Sequence, residues 1–87
     1  MNSDLDAVAL NVLIHLYDIK DIGMFANRKY HKVSELLKEL KIADPTGNLK
    51  NVVYADLANS GYVSVAAESL AINENGIKFV EKRYKSS

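Results

Sequence analysis

The chain has no cysteine, no tryptophan and a single proline, Pro45. Without cysteine there are no disulfides, no thiolate metal sites and no cysteine nucleophile, which fits a reducing compartment such as the cytoplasm. Charge of one sign is also missing. Eleven Lys and Arg balance eleven Asp and Glu. Phosphate neutralisation supplies much of a nucleic-acid binder's affinity, so a neutral chain must confine any basic patch to one face. Long hydrophobic runs are absent as well. The stretch from Ala7 to Tyr17 is interrupted by Asn11 and His15 and is too short to cross a bilayer. Asp4 and Asp6 stand where a signal peptide needs basic residues, so neither leader nor membrane association is expected.

Catalytic apparatus is equally scarce. Gly47 and Gly61 are isolated, so there is no glycine-rich phosphate loop, and Ser34, Ser60, Ser64 and Ser69 stand in no nucleophile elbow. His15 and His31 have no ligand partner at helical spacing, and a partly buried, hydrogen-bonded histidine is the expected role. Acidic residues are scattered. The chain therefore reads as a non-enzyme with no metal and no cofactor.

What is present is an ordinary globular composition, with 48% hydrophobic and 25% charged residues, and this argues for a folded chain over a disordered one. Eighty-seven residues make one domain, with no repeat and no linker. The Met1 start and polar Lys85-Ser86-Ser87 end read as a complete chain. A domain of this size buries only about 60–65% of its unfolded surface, so a second subunit would add useful core.

The order of elements can be read from periodicity. A first helix is expected from Ser3 to Ile19, capped by Ser3 or Asp4, with Leu5, Val8, Ala9, Val12, Leu13 and Leu16 on one stripe. Leu10, Ile14 and Tyr17 form a second apolar strip that something must cover. Gly23 marks a break, and Tyr30 begins a short strand. A second helix spans about Val33 to Lys41, weakly capped because Lys32 occupies the capping-box position ahead of Glu35. Asp44 reads as the cap of a third helix, with Pro45 as its first residue and Gly61 as its left-handed stop. Leu49, Val53 and Leu57 mark its buried side. Tyr62 to Val65 and Leu70 to Ile72 read as paired strands around a turn at Ala66–Ser69. A last helix from Asn73 to about Lys85 places Ile77, Val80 and Tyr84 on one face.

Three segments carry a resemblance. Val33-Ser34-Glu35-Leu36-Leu37-Lys38-Glu39-Leu40 is similar to the second helix of the winged helix-turn-helix superfamily of small prokaryotic and viral regulators. Asp56-Leu57-Ala58-Asn59-Ser60-Gly61-Tyr62-Val63 resembles its step from recognition helix into wing. Leu70-Ala71-Ile72-Asn73-Glu74-Asn75-Gly76-Ile77 resembles the wing's return strand entering a terminal helix. The likeness covers about Val33 to Lys85. It implies an α+β, mostly helical fold with a three-helix core, a two-stranded wing with a very short tip and a C-terminal helix. Asn73 stands where Thr or Ser is commoner, a tolerable swap because Asn also caps helices, and the tip, Ala66-Ala67-Glu68-Ser69, carries no Lys or Arg.

The resemblance further implies double-stranded DNA as partner and a transcriptional role as a homodimer. The third helix would lie in the major groove with Asn48, Asn51, Tyr54 and Ala55 toward the bases, since Asn suits an adenine edge and Ala admits a thymine methyl. Arg28, Lys29, Lys32 and Lys50 would meet phosphate. Leu10, Ile14 and Tyr17 offer a dimer or partner surface. A different function is open on the same residues. Zero net charge, a non-basic wing and alanines on the third helix also suit a protein-interaction winged helix without DNA binding, with Glu35 and Asp56 interrupting any positive surface.

Overall fold

The computed structural model describes residues 6–19 and 30–85. Its elements run α1 (Ala7–Ile19), β1 (His31–Lys32), α2 (Val33–Glu39), α3 (Asn48–Ser60), β2 (Val63–Ala66), β3 (Ser69–Ile72) and α4 (Glu74–Val80), followed by a π-helical turn at Glu81–Lys85. The fold is α+β: among the described residues, four helices and an antiparallel sheet of three strands in the order β1-β3-β2. The short strand expected at Tyr30 is His31–Lys32, which makes the sheet three-stranded where only the hairpin was expected to pair.

β3 is the central strand. Ala66 faces Ser69 and Val63 faces Ile72 across the hairpin, while Lys32 faces Ser69 and His31 faces Leu70 on the other side. Central placement explains why Leu70, Ala71 and Ile72 are all buried, whereas on the edge strand β2 only Val63 is.

α1 is the hub. Its stripe of Ala9, Val12, Leu13 and Leu16 is buried in the core with Leu36, Leu37, Val53, Leu57, Leu70 and Val80. The helix packs against α2, α3, α4 and β3. Much of its second apolar strip is covered from within the chain. Ile14 and Tyr17 pack against the core, and the Tyr17 hydroxyl donates to Glu81 Oε2 at 2.9 Å. His15 Nε2 donates to Glu39 Oε1 at 2.6 Å and ties α1 to α2. The Leu10 amide donates to the Asp6 carbonyl at 2.8 Å, the first helical bond described; the expected caps Ser3 and Asp4 lie outside the described residues.

The ends of the other helices depart from the sequence reading for identifiable reasons. α2 stops at Glu39, two residues before the expected Lys41. The Ile42 amide donates to the Leu37 carbonyl (2.9 Å) and the Lys41 amide to the Lys38 carbonyl (3.0 Å), with Lys41 at φ 60. These are the two bonds of a Schellman motif, with Lys where glycine is usual. At its start, Lys32 supplies no side-chain cap, and the Val33 amide instead donates to the Glu68 carbonyl of the β2–β3 turn at 3.4 Å.

α3 begins at Asn48, so Pro45 is not its first residue. Pro45 and Thr46 sit in a turn closed by the Gly47 amide on the Asp44 carbonyl (3.3 Å), and Gly47 at φ 81 cannot continue a helix backward. Asp44 still caps α3, from further away. Its carboxylate accepts the amides of Leu49 and Lys50, each at 3.0 Å. Gly61 ends the helix at φ 82, as expected.

α4 ends at Val80, after which the chain widens into the π-helical turn. That change of period breaks the expected alignment of Ile77, Val80 and Tyr84. Val80 is fully buried, but Tyr84 is 44% exposed and meets Phe79 edge-on, with ring centroids 6.0 Å apart. Phe79 in turn stacks on Tyr62 at 4.4 Å.

Candidate nucleic-acid interface

The sequence of α3 divides its circumference cleanly. Val53 and Leu57 are buried and Leu49 packs beside them. On the opposite side Asn48, Asn51, Val52, Ala55, Ala58 and Asn59 are all exposed. At 3.6 residues per turn these six positions fall within an arc of about 120°. None carries a charge. Val52, half exposed, is the largest apolar group on the arc. Asn48, Asn51 and Ala55 are thus brought together on one open face, as the spacing implied.

Tyr54 is not on that face. Its hydroxyl donates to the Ala67 carbonyl at 2.6 Å, which pins the β2–β3 turn to the flank of α3. Lys50 turns the same way, and its Nζ lies 3.8 Å from Glu68 Oε1. With the Val33 amide on the Glu68 carbonyl, the two-residue turn Ala67-Glu68 is held by both α2 and α3. Ala67 adopts φ 55 to make the turn.

Of the other expected phosphate contacts, Lys32 is exposed on β1 beside Ser69, at the base of the same turn. Arg28 and Lys29 lie outside the described residues. The acidic residue that meets a basic one here is Glu68. Glu35, on α2, and Asp56, which falls outside the α3 arc, were the expected interrupters. Sequence reasoning missed the Tyr54–Ala67 and Lys50–Glu68 contacts because each joins α3 to a turn beyond β2. The available signal was the pair itself: Lys and Tyr four apart on α3, and one acid in a turn lacking any base.

Leu10, Ile14 and Tyr17 do not form a uniform open strip. Leu10 is partly buried. Ile14 lines a shallow cleft of about 260 Å³ together with Asn11, His15, Asp18, Leu40 and Ile42. Tyr17 faces the π-helical turn through Glu81. Among the described residues no helix is long and apolar enough to cross a membrane.

The coordinates define an α+β domain with an uncharged helical face flanked by a pinned hairpin. Beyond that class, the chain matches no family model, no curated protein and no solved structure.

Proposed function

We propose that the chain is a winged-helix protein that binds double-stranded DNA in the cytoplasm as a homodimer, with α3 in the major groove, and acts as a transcriptional regulator. The observation that carries this reading is the exposed arc of α3. Asn48 and Asn51 can each present a donor and an acceptor to a base edge, and Ala55 between them lets the backbone come close. No acidic side chain lies on the arc to repel phosphate. The β2–β3 hairpin stands beside this helix, in keeping with a wing, and Lys32 and Lys50 lie beside its turn.

Fluorescence anisotropy on mixed-sequence duplex DNA at about 50 mM salt tests the proposal, since even non-specific binders associate there. Binding is expected, with Asn51→Ala weakening selected sites by about tenfold, the worth of one good base contact. Complete absence of binding removes the reading.

A second reading has its own support. Val52 and Val65 are 50% and 45% exposed, and Glu68 offsets Lys50. An apolar, electrically quiet surface suits a protein partner. A chain that ignores DNA yet loses a protein partner on Val52→Glu would favour it.

A further inference from the structure

We infer that Glu68 restrains DNA affinity by occupying Lys50, so that the hairpin works as a brake on the α3 face and not as a second DNA contact. The inference rests on the DNA-binding reading above.

Three features of the turn lead to it. First, the turn is held in place by the Tyr54 hydroxyl on the Ala67 carbonyl and by the Val33 amide on the Glu68 carbonyl. The backbone of Glu68 is thereby held beside the first turn of α3, within reach of Lys50. Second, that carboxylate lies 3.8 Å from Lys50 Nζ with its side chain 78% exposed. An exposed pair at this distance is weak, so a phosphate can displace Glu68, but only against its competition. Third, no Lys or Arg lies between Ala66 and Ser69, so the tip offers no cation in exchange.

The surrounding charges do not relieve this balance. Asp44 places a second carboxylate at the α3 start, committed to the Leu49 and Lys50 amides. Lys32 is a second cation near the turn, next to Ser69. Two acids and two bases therefore flank the turn and the start of α3, where the resemblance would place a phosphate. A protein whose sequence is neutral overall is neutral here too, and Glu68 is the member of the four that is both exposed and free of a backbone duty for its carboxylate.

The test is a double-mutant cycle on duplex binding between about 50 and 200 mM salt, a range that resolves a single phosphate contact. Glu68→Gln keeps the backbone carbonyl that receives the Val33 amide and removes only the charge. It is expected to tighten binding about fivefold at the low-salt end, the upper range for an exposed pair. It should also steepen the slope of log K against log salt by about one, as one more phosphate is neutralised. In a Lys50→Met background the same change should alter affinity by less than about twofold. Glu68→Gln leaving wild-type affinity unchanged overturns the inference. So does equal tightening with and without Lys50, which would mark a general negative field instead of a held lysine. If neither wild type nor Glu68→Gln binds duplex at low salt, the DNA reading itself fails and takes this one with it.

Discussion

Single backbone positions decide how this chain turns. Gly76 and Gly61 differ in the reason they are glycine. A Cβ on Gly76 would sit 2.2 Å from the Tyr62 carbonyl oxygen and 2.7 Å from Ile72 Cγ1, so α4 approaches the α3–β2 junction as closely as backbone allows. At Gly61 nothing lies within 4 Å, and only the left-handed φ of 82 matters. Gly76→Ala is expected to cost about 2–3 kcal/mol through overpacking. Gly61→Ala should cost about 1 kcal/mol through backbone strain. Urea midpoints measure both, and equal losses would refute the distinction. Lys41 and Ala67 hold left-handed conformations without glycine's freedom. Relieving that strain, less the entropy glycine adds to the unfolded chain, leaves a gain of about 0.5 kcal/mol for Lys41→Gly and for Ala67→Gly. A lower midpoint for either would contradict the strain argument. These two residues also explain two misread boundaries. With no glycine to signal a stop, periodicity carried α2 through Lys41, and the hairpin turn was drawn over four residues instead of two.

At the scale of elements, the caps show what sequence can and cannot convey. Asp44 and Asn73 were both legible as capping residues, and both cap. Their geometry was not legible. Asp44 reaches across a three-residue turn to two amides, because Gly47 rotates the chain between cap and helix. Asn73 uses both ends of its side-chain amide. Its Oδ1 accepts the Gly76 amide at 2.9 Å while its Nδ2 donates to the Gly61 carbonyl at 2.9 Å, joining the C-terminus of α3 to the start of α4. Asn73→Asp keeps the cap and loses the donor, so it should cost less than Asn73→Ala, which loses both and falls by about 1–2 kcal/mol. Identical midpoints for the two variants would show that the cap contributes nothing, and an Asn73→Asp midpoint equal to that of wild type would show the same of the bond to Gly61. The buried stripes were the most legible part of the chain. Ala9, Val12, Leu13 and Leu16 on α1 and Val53 and Leu57 on α3 follow directly from a 3.6-residue period. The drift at Tyr84 was not legible, because nothing in Glu81–Lys85 announces a π-helical turn.

For the whole molecule, the question left by the sequence is what covers the second strip of α1. Local periodicity could show that the strip exists but not that α4 and the segment after α2 return to cover most of it, since those contacts are remote in the chain. Ile14 and Tyr17 are committed to the domain's own packing, and of the three only Leu10, partly buried, has no place in the core cluster. This separates a test of dimerisation from a test of folding. An 87-residue domain has a total stability of roughly 4–13 kcal/mol, so a charge at Ile14 would unfold much of the population and say nothing about assembly. Leu10→Glu should move the unfolding midpoint by less than about 0.5 kcal/mol. In sedimentation at tens of micromolar, wild type is expected to run as a dimer and Leu10→Glu as a monomer. On a duplex with two half-sites about one helical turn apart, the variant should lose at least about tenfold in affinity, while binding to one half-site is unchanged. A wild-type chain that sediments as a monomer at every concentration removes α1 as a dimer surface. DNA binding by α3 would then have to stand on single half-sites alone.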